Sequence, residues 1–372
     1  VRVAVIITIV LLFFGALNVA TIRTLLRIHP RRRGAIIASA VIGNLLWPFV
    51  PFLRHSTPAL RFLRAVAAPP WFGWAVFTLL YAVFALLLLL AWLPFRRRRS
   101  FAGFAHTPSR LFLGGGILAF AIGCWQCLVP LRVEQVTVHI HNLPVAANGM
   151  RIVLLGDLHV GLFTRPSRLQ KIFATAAAAK PDAVVIAGDL VDDDPYFVPK
   201  LLAATTPLPP ALPLLAVLGN HEMYGDPQAV IRRLRGSRIQ LLVNEGVPLR
   251  GLWIAGLSDF AASLPALEPD LARALARRPA GALPILIAHQ PKAFALARAS
   301  RVPLTLVAHT HGGQCGIRPL GWSVAGIFLP YHMGLYREGA SQLYVNTGTG
   351  YWVLPFRLGM TPEVTVISLA SD

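Results

Sequence analysis

Hydrophobic and polar positions follow one pattern before residue 131 and another after it. Before it, four stretches run almost without interruption through apolar residues: 3–22, 35–53, 71–95 and 111–131. A helix needs about 20 apolar residues to cross the hydrocarbon core of a bilayer. A core helix of a globular domain would keep a polar face, and these stretches show none. The pattern therefore predicts an N-terminal bundle of about four transmembrane helices. Trp47, Trp71, Trp74 and Trp92 lie near the ends of the runs, where interfacial anchors belong. Pro48 and Pro51 interrupt the second run near its end. Three further runs follow the first, which reads as a span rather than a cleaved signal peptide.

After residue 131 the periods shorten. RVEQVTVHIH alternates as a half-exposed strand does, with His139 and His141 on one exposed face. Apolar runs of strand length follow: RIVLLGD, DAVVIAGD, PLLAVLGN, LWIAGLSD, PILIAHQ, LTLVAHT, QLYVNTG and EVTVISL. Between them lie segments of helical composition at 166–179, 227–235, 269–278 and 291–299. Such alternation predicts an α/β fold of layered sheets flanked by helices. Two domains result: a transmembrane region over 1–130 and a layered domain over 131–372.

Charge sharpens this division. Residues 1–130 contain 14 Arg and no Asp, Glu or Lys, and all 16 acidic residues lie at 134 or beyond. The net charge of +19 is thus mostly a property of the first 130 residues. These Arg sit between apolar runs, so they read as membrane-flanking charges and not as a nucleic-acid surface. Residues 23–34 and 96–110 hold five Arg each, against three in 54–70. The positive-inside rule then places the first and third connections in the cytoplasm and the domain after residue 131 outside it. Cys124 and Cys127 lie inside an apolar run and Cys315 stands alone, so no disulfide framework is expected.

The chemistry sits where the strands stop. RIVLLGD ends in Asp157, with His159 two residues on; DAVVIAGD ends in Asp189; PLLAVLGN ends in Asn220 and His221; PILIAH ends in His289; LTLVAHTH ends in His309 and His311. In open α/β sheets such groups converge at the carboxyl ends of the strands. Oxygen and imidazole donors without Cys suit Mn, Fe or Zn. Two Asp, one Asn and five His exceed the needs of one ion and suit two ions sharing a bridging carboxylate. Two such ions form a clamp for in-line displacement at phosphorus. Gly312 and Gly313 let the backbone turn away after His311. The run Asp192, Asp193, Asp194 reads as a solvated loop, and Tyr331 and His332 are candidates for lining the pocket.

The blocks GDLHVG (156–161), GDLVDD (188–193), GNHE (219–222), AHQ (288–290) and AHTHGGQ (308–314) resemble, in order and spacing, those of the calcineurin-like metallophosphoesterases, and the bacterial membrane-associated branch above all. The lead-in NLP…GMRIVLLGDLH and the ending LYVNTGTG…FRLGMTPEVTVISL share that resemblance, which covers about 131–372. It implies that Asp157, His159 and His311 bind one ion, that Asp189 bridges both, and that Asn220, His289 and His309 bind the second. It also implies a catalytic His221 that protonates the leaving-group oxygen and a metal-bound hydroxide that attacks phosphorus directly. Ala308 departs from the family's commoner Gly, a methyl that could shift the turn. The expectation is a multi-pass membrane enzyme cleaving phosphoesters, with the lipid bilayer as partner and a lipid or lipid-linked phosphoester among the substrates. The rival expectation is a membrane sensor or channel with a metal-binding regulatory domain. It would require polar clusters in the spans, and these hold little beyond Thr8, Asn18, Asn44 and Gln126.

Overall fold

The computed structural model describes residues 2–44 and 57–372. The chain divides into two compact units, residues 1–121 and 122–372.

The first unit is helical: α1 (Arg2–Ile28), α2 (Arg33–Asn44), α3 (Pro58–Trp92) and α4 (Phe101–Gln126). Two segments, Pro69–Phe95 and Phe101–Gln126, are long and apolar enough to cross a membrane, and only 11% of either apolar window is buried. A core helix of a soluble domain would be mostly buried, so this exposure sets them apart. The expected second span, 35–53, is described only as far as Asn44, and its remainder lies outside the described residues. Four spans are therefore not established. The fourth element also begins ten residues earlier than its apolar run. Ser100 explains the start, because its Oγ accepts from Gly103 N (3.2 Å), capping the first turn. Pro130 explains an end at Gln126, short of residue 131, since it has no N–H to continue the ladder. Inside the unit several polar groups pair with one another. The side-chain amides of Asn18 and Asn44 are hydrogen-bonded, and Trp74 Nε1 donates to Asn18 Oδ1 (2.9 Å). The buried Tyr81 hydroxyl meets Ser109 Oγ (2.7 Å), which meets His29 Nε2 (2.9 Å).

The second unit is built on two six-stranded sheets. Its strands in chain order are β1 (Arg132–Ile140), β2 (Arg151–Leu155), β3 (Ala183–Ala187), β4 (Leu214–Val217), β5 (Gln240–Leu241), β6 (Glu245–Leu249) and β7 (Leu252–Gly256). They continue with β8 (Leu283–Ile287), β9 (Leu304–Val307), β10 (Gly316–Ile317), β11 (Trp322–Ser323), β12 (Gly334–Glu338), β13 (Ser341–Val345) and β14 (Glu363–Ser371). One sheet runs β1-β14-β2-β3-β4-β5 and the other β12-β13-β9-β8-β7-β6. Their facing sides share one apolar core, in which Ile152, Leu154, Val185 and Val217 meet Ile254, Ile285, Ile287 and Leu306. The outer face of the first sheet is covered by α5 (Pro166–Ala178), α6 (Val198–Ala204) and α8 (Pro227–Leu234), with the short α7 (Asn220–Tyr224) before the last. The outer face of the second is covered by α9 (Leu271–Leu275) and α10 (Ala293–Ala299). Strands covered on both faces read as unbroken apolar runs, which is why these were legible. α6 and α7 are short, and the pattern of the sequence did not single them out.

Two features position the site. β2, β3 and β4 are mutually parallel, as are β7, β8 and β9, so each set ends at one edge of its sheet. The second feature is β14, which enters between β1 and β2, parallel to the first and antiparallel to the second. Its first residue, Glu363, is fully buried. Glu363 Oε1 accepts from the Tyr344 hydroxyl (2.7 Å) and Thr365 Oγ1 (2.6 Å), and Oε2 accepts from Thr347 Oγ1 (2.8 Å) and pairs with Arg318 Nη2 (2.5 Å). This carboxylate pins the turn 346–350 beneath the strand ends, where Thr349 N donates to Gly156 O (2.8 Å). Breaking a buried pair by neutralising one partner costs about 3–5 kcal/mol. Glu363→Gln is expected to lower the melting temperature of the second unit's transition, while Arg318→Ala combined with Glu363→Gln loses less than the sum of the two. Calorimetric melting of the purified chain checks both; additive losses would show that the pair does not couple.

Candidate metal centre

Five of the expected ligands have backbones in the left-handed region, with φ of 52° at Asp157, 42° at His159, 50° at Asp189, 74° at His309 and 51° at His311. Non-glycine residues enter this region rarely and at a cost. Here each one follows a buried strand and turns its side chain back toward the seam between the sheets. Neighbouring glycines leave room for the turns. A Cβ on Gly219 would lie 2.2 Å from Asp189 Oδ1, and one on Gly156 would lie 2.3 Å from the Ala308 methyl. The second contact resolves the departure at Ala308: its methyl fills the space that Gly156 leaves empty.

The expected residues converge in two overlapping groups. In the first, Asp157, His159, Asp189 and His311 are all buried, and one donor atom from each lies within 4.8 Å of all the others. His159 Nε2 and His311 Nε2 face each other at 3.0 Å. In the second, His289 Nε2 lies 2.9 Å from Asn220 Oδ1, 3.2 Å from Asp189 Oδ2 and 3.2 Å from His309 Nδ1. Asp189 belongs to both groups, since its Oδ2 is also 3.5 Å from His159 Nε2. The first group spans the two sheets, because Asp157 and Asp189 follow β2 and β3 whereas His311 follows β9. The peptide N–H of His309 donates to Asp157 Oδ1 (3.0 Å), tying the two strand ends together.

Burial sets the charges. Desolvation pushes the Asp157 carboxyl up to about 7 and holds His159 down to about 3. Desolvation likewise lowers His309 to about 3 and takes His311 well below its usual range. Three imidazoles are thus held neutral, the form in which a ring nitrogen binds a cation. Burial also disfavours charge on Asp189 and His289, but they lie against each other. Their pairing holds Asp189 well below the usual carboxylate range and raises His289 to about 10. The fit to a metal is seen in two buried atoms, Asp157 Oδ2 and His159 Nδ1, which have no hydrogen bond among the described residues. A buried carboxylate oxygen left unsatisfied is costly, and a cation among these donors would satisfy it.

His221, beside Asn220, is held by a residue that the sequence reading set aside. Asp193 is buried, not part of a solvated loop, and its Oδ1 lies 2.5 Å from His221 Nδ1. Burial disfavours the charged imidazole, but the Asp193 hydrogen bond and the Asp189 charge outweigh it and raise His221 to about 9. Asp192 Oδ1 is 3.6 Å from the same nitrogen. The signal was present in the repetition of Asp after GDL, but a run of acids reads first as solvent-exposed. Trp352 and Tyr224 stand edge-on to the His221 ring, at 6.3 and 5.7 Å between centroids. The fully buried Arg357 was also missed. Its guanidinium donates to Thr347 O (2.7 Å) and Gly350 O (2.8 Å) and lies 3.2 Å from His311 Nδ1. Tyr331 is drawn elsewhere: its hydroxyl bonds Glu338 and its ring packs on Phe294 and Tyr336. His332 serves through its backbone carbonyl, which accepts from Thr310 Oγ1 (2.8 Å).

Several similar proteins are named as metallophosphoesterases. A protein of Helicobacter pylori (strain J99) named an uncharacterized metallophosphoesterase is 31% identical over 276 residues, covering 73% of this chain and 72% of its own. The "Transmembrane protein with metallophosphoesterase domain" of Danio rerio is 35% identical over 257 residues, covering 64% of this chain and 57% of its own. The metallophosphoesterase YkuE of Bacillus subtilis, also named uncharacterized, is 29% identical over 285 residues, covering 72% of this chain and 94% of its own. With the buried donor set above, these matches define a metal-dependent phosphoester hydrolase. Residues 150–313 match the calcineurin-like phosphoesterase family, and the chain belongs to it.

His289 must lose its proton before its Nε2 can bind a metal, and ligand deprotonation makes affinity rise with pH. Mn²⁺ added to the metal-stripped chain at pH 7 is therefore expected to release at least one proton, and its apparent affinity to increase as pH rises toward 10. Calorimetric titration in buffers of different ionisation enthalpy checks this; a heat independent of buffer would show that no proton is displaced.

Proposed function

We propose that the chain is a membrane-anchored phosphoesterase that uses two divalent ions, Mn, Fe or Zn. Asp157, His159, Asp189 and His311 would hold one ion, and Asp189, Asn220, His289 and His309 the other. One observation carries the two-ion reading: the Asp189 carboxylate stands between His159 Nε2 at 3.5 Å and His289 Nε2 at 3.2 Å, the position of a bridge. Two bound ions would supply an activated water and neutralise charge developing on the phosphoryl oxygens. The protein's own groups do the rest. Burial at the seam excludes bulk water from the donors and strengthens every charge interaction there. Asp193 holds His221 Nδ1, which leaves Nε2 to give a proton to the departing oxygen. Trp352 and Tyr224 flank that histidine and would pack on the leaving group.

Membrane attachment supports a substrate class. The helices Pro69–Phe95 and Phe101–Gln126 are long and apolar enough to span, and a relative is named as a transmembrane protein. The Arg-rich connections favour a multi-pass chain with its catalytic unit on the extracytoplasmic side. A site tethered in this way suits the phosphoester of a lipid or of a lipid-linked molecule.

The test uses purified full-length chain, metal-stripped and then supplied with Mn²⁺, on a chromogenic phosphomonoester, a chromogenic phosphodiester and a lipid phosphate. Metal-dependent turnover is expected, with Asp189→Ala at least about 10³-fold slower, as for loss of a group that stabilises the transition state. Full activity in Asp189→Ala would overturn the assignment. His221→Ala is expected to slow esters with basic leaving groups more than those with acidic ones, because only the former need a proton. Equal losses on both would remove His221 from that role.

A further inference from the structure

The segment that follows the metal-binding turn has a surface that hydrolysis at the metal centre does not explain. Between Arg318 and Arg337 lie 18 residues, 319–336, with no Asp, Glu, Lys or Arg. Much of this stretch faces outward: Leu320 is 75% exposed, Ile327 62%, Phe328 78% and Trp322 47%, with Ile317 beside them at 51%. Ile317 and Trp322 are paired across the β10–β11 ladder, so their side chains share one face. Leu320 occupies the turn between those two strands. Arg318, the one charge in the hairpin, is turned inward onto Glu363 and contributes nothing to this outer face. An exposed apolar patch without charge marks a surface that is covered by something else.

The patch is rigidly coupled to the metal centre. A Cβ on Gly313 would strike Ala325 N at 2.5 Å and the Val324 side chain at 2.9 Å, so 324–325 lies directly against the turn after His311. Thr310, between the two ligand histidines, donates to His332 O, and Ser323 Oγ meets His332 Nδ1 at 2.9 Å. Whatever binds Leu320, Trp322, Ile327 and Phe328 thereby fixes the height of His309 and His311 above it.

We propose that this loop inserts its apolar tip into the acyl region of a lipid bilayer, docking the catalytic unit on the membrane to which the chain is anchored. The proposal rests on the membrane reading above. The occupant follows from the covalent structure: only five residues separate the apolar helix ending at Gln126 from β1 at Arg132. At about 3.5 Å per extended residue, that link reaches no more than about 20 Å. A bilayer surface is therefore always within reach. Aromatic and aliphatic side chains without acids are the composition that inserts into it, with Trp favoured at the headgroup level.

The native full-length chain, reconstituted in phosphatidylcholine vesicles containing a lipid with a photoactivatable group on its acyl chain, provides the test. After illumination and digestion, lipid adducts are expected on 317–329 as well as on 69–126, and none on the half-exposed edge strand β6 of the same unit. In Leu320→Asp/Phe328→Asp the adducts on 317–329 should fall at least fivefold, with those on 69–126 unchanged. Adducts confined to 69–126 in the native chain would overturn the insertion and leave the membrane reading intact. Absence of adducts on 69–126 would overturn both. Neither readout depends on hydrolysis, so failure of the phosphoesterase reading would appear separately.

Discussion

Two carboxylates, Asp157 and Asp189, are fully buried in the seam between two sheets, and the surroundings of both strand ends are organised around compensating them. Charge in such a place is stable only if it is paired and hydrogen-bonded. Asp189 is paired with protonated His289, and Asp157 is left with an oxygen that no group among the described residues hydrogen-bonds. The imidazoles of His159, His309 and His311 are too desolvated to carry a second proton. The protein thus leaves a buried carboxylate oxygen and neutral imidazoles side by side, and a cation among them would satisfy both.

The fold meets this demand through the direction of its strands. β2, β3 and β4 run parallel in one sheet, β8 and β9 run parallel in the other, and each of the five is followed by an oxygen or imidazole donor of the site. Because the donors come from both sheets, the site is also a joint between them. His309 N bonded to Asp157 Oδ1 and Thr349 N bonded to Gly156 O are its mechanical links. Movement of one sheet relative to the other would separate the two ligand groups, so packing of Ile152 and Leu154 against Ile285 and Leu306 in the shared core is also a constraint on ligand geometry.

Much of this was legible in the sequence because buried parallel strands have an unmistakable texture. Each is a short apolar run, and a polar residue at its end stands out against it. Asp157, Asp189, Asn220, His289, His309 and His311 were all found in this way, and the structure brings them together. Asp193 was not, since a run of three acids looks like solvent-exposed chain until a buried imidazole is known to lie beside it. Arg357 was not, since an arginine sealed among backbone carbonyls leaves no periodic trace. The helix boundaries in the first unit shifted for the same reason: a single hydroxyl at Ser100 moved one start by ten residues, and apolar content does not report caps.

The position of β14 has a consequence for synthesis. This strand lies between β1 and β2, and Glu363 at its start holds the turn beneath Asp157. Until residues 363–371 have left the ribosome, the first sheet has a gap next to its second strand and the turn has no anchor. Long-range pairing of this kind is slow to form, because loop closure must precede the contacts that reward it. The nascent enzyme is therefore without a competent metal centre throughout the time the helices of its first unit are being made. The helices of the first unit and the catalytic chemistry of the second are separated in time by the order of strands in a sheet.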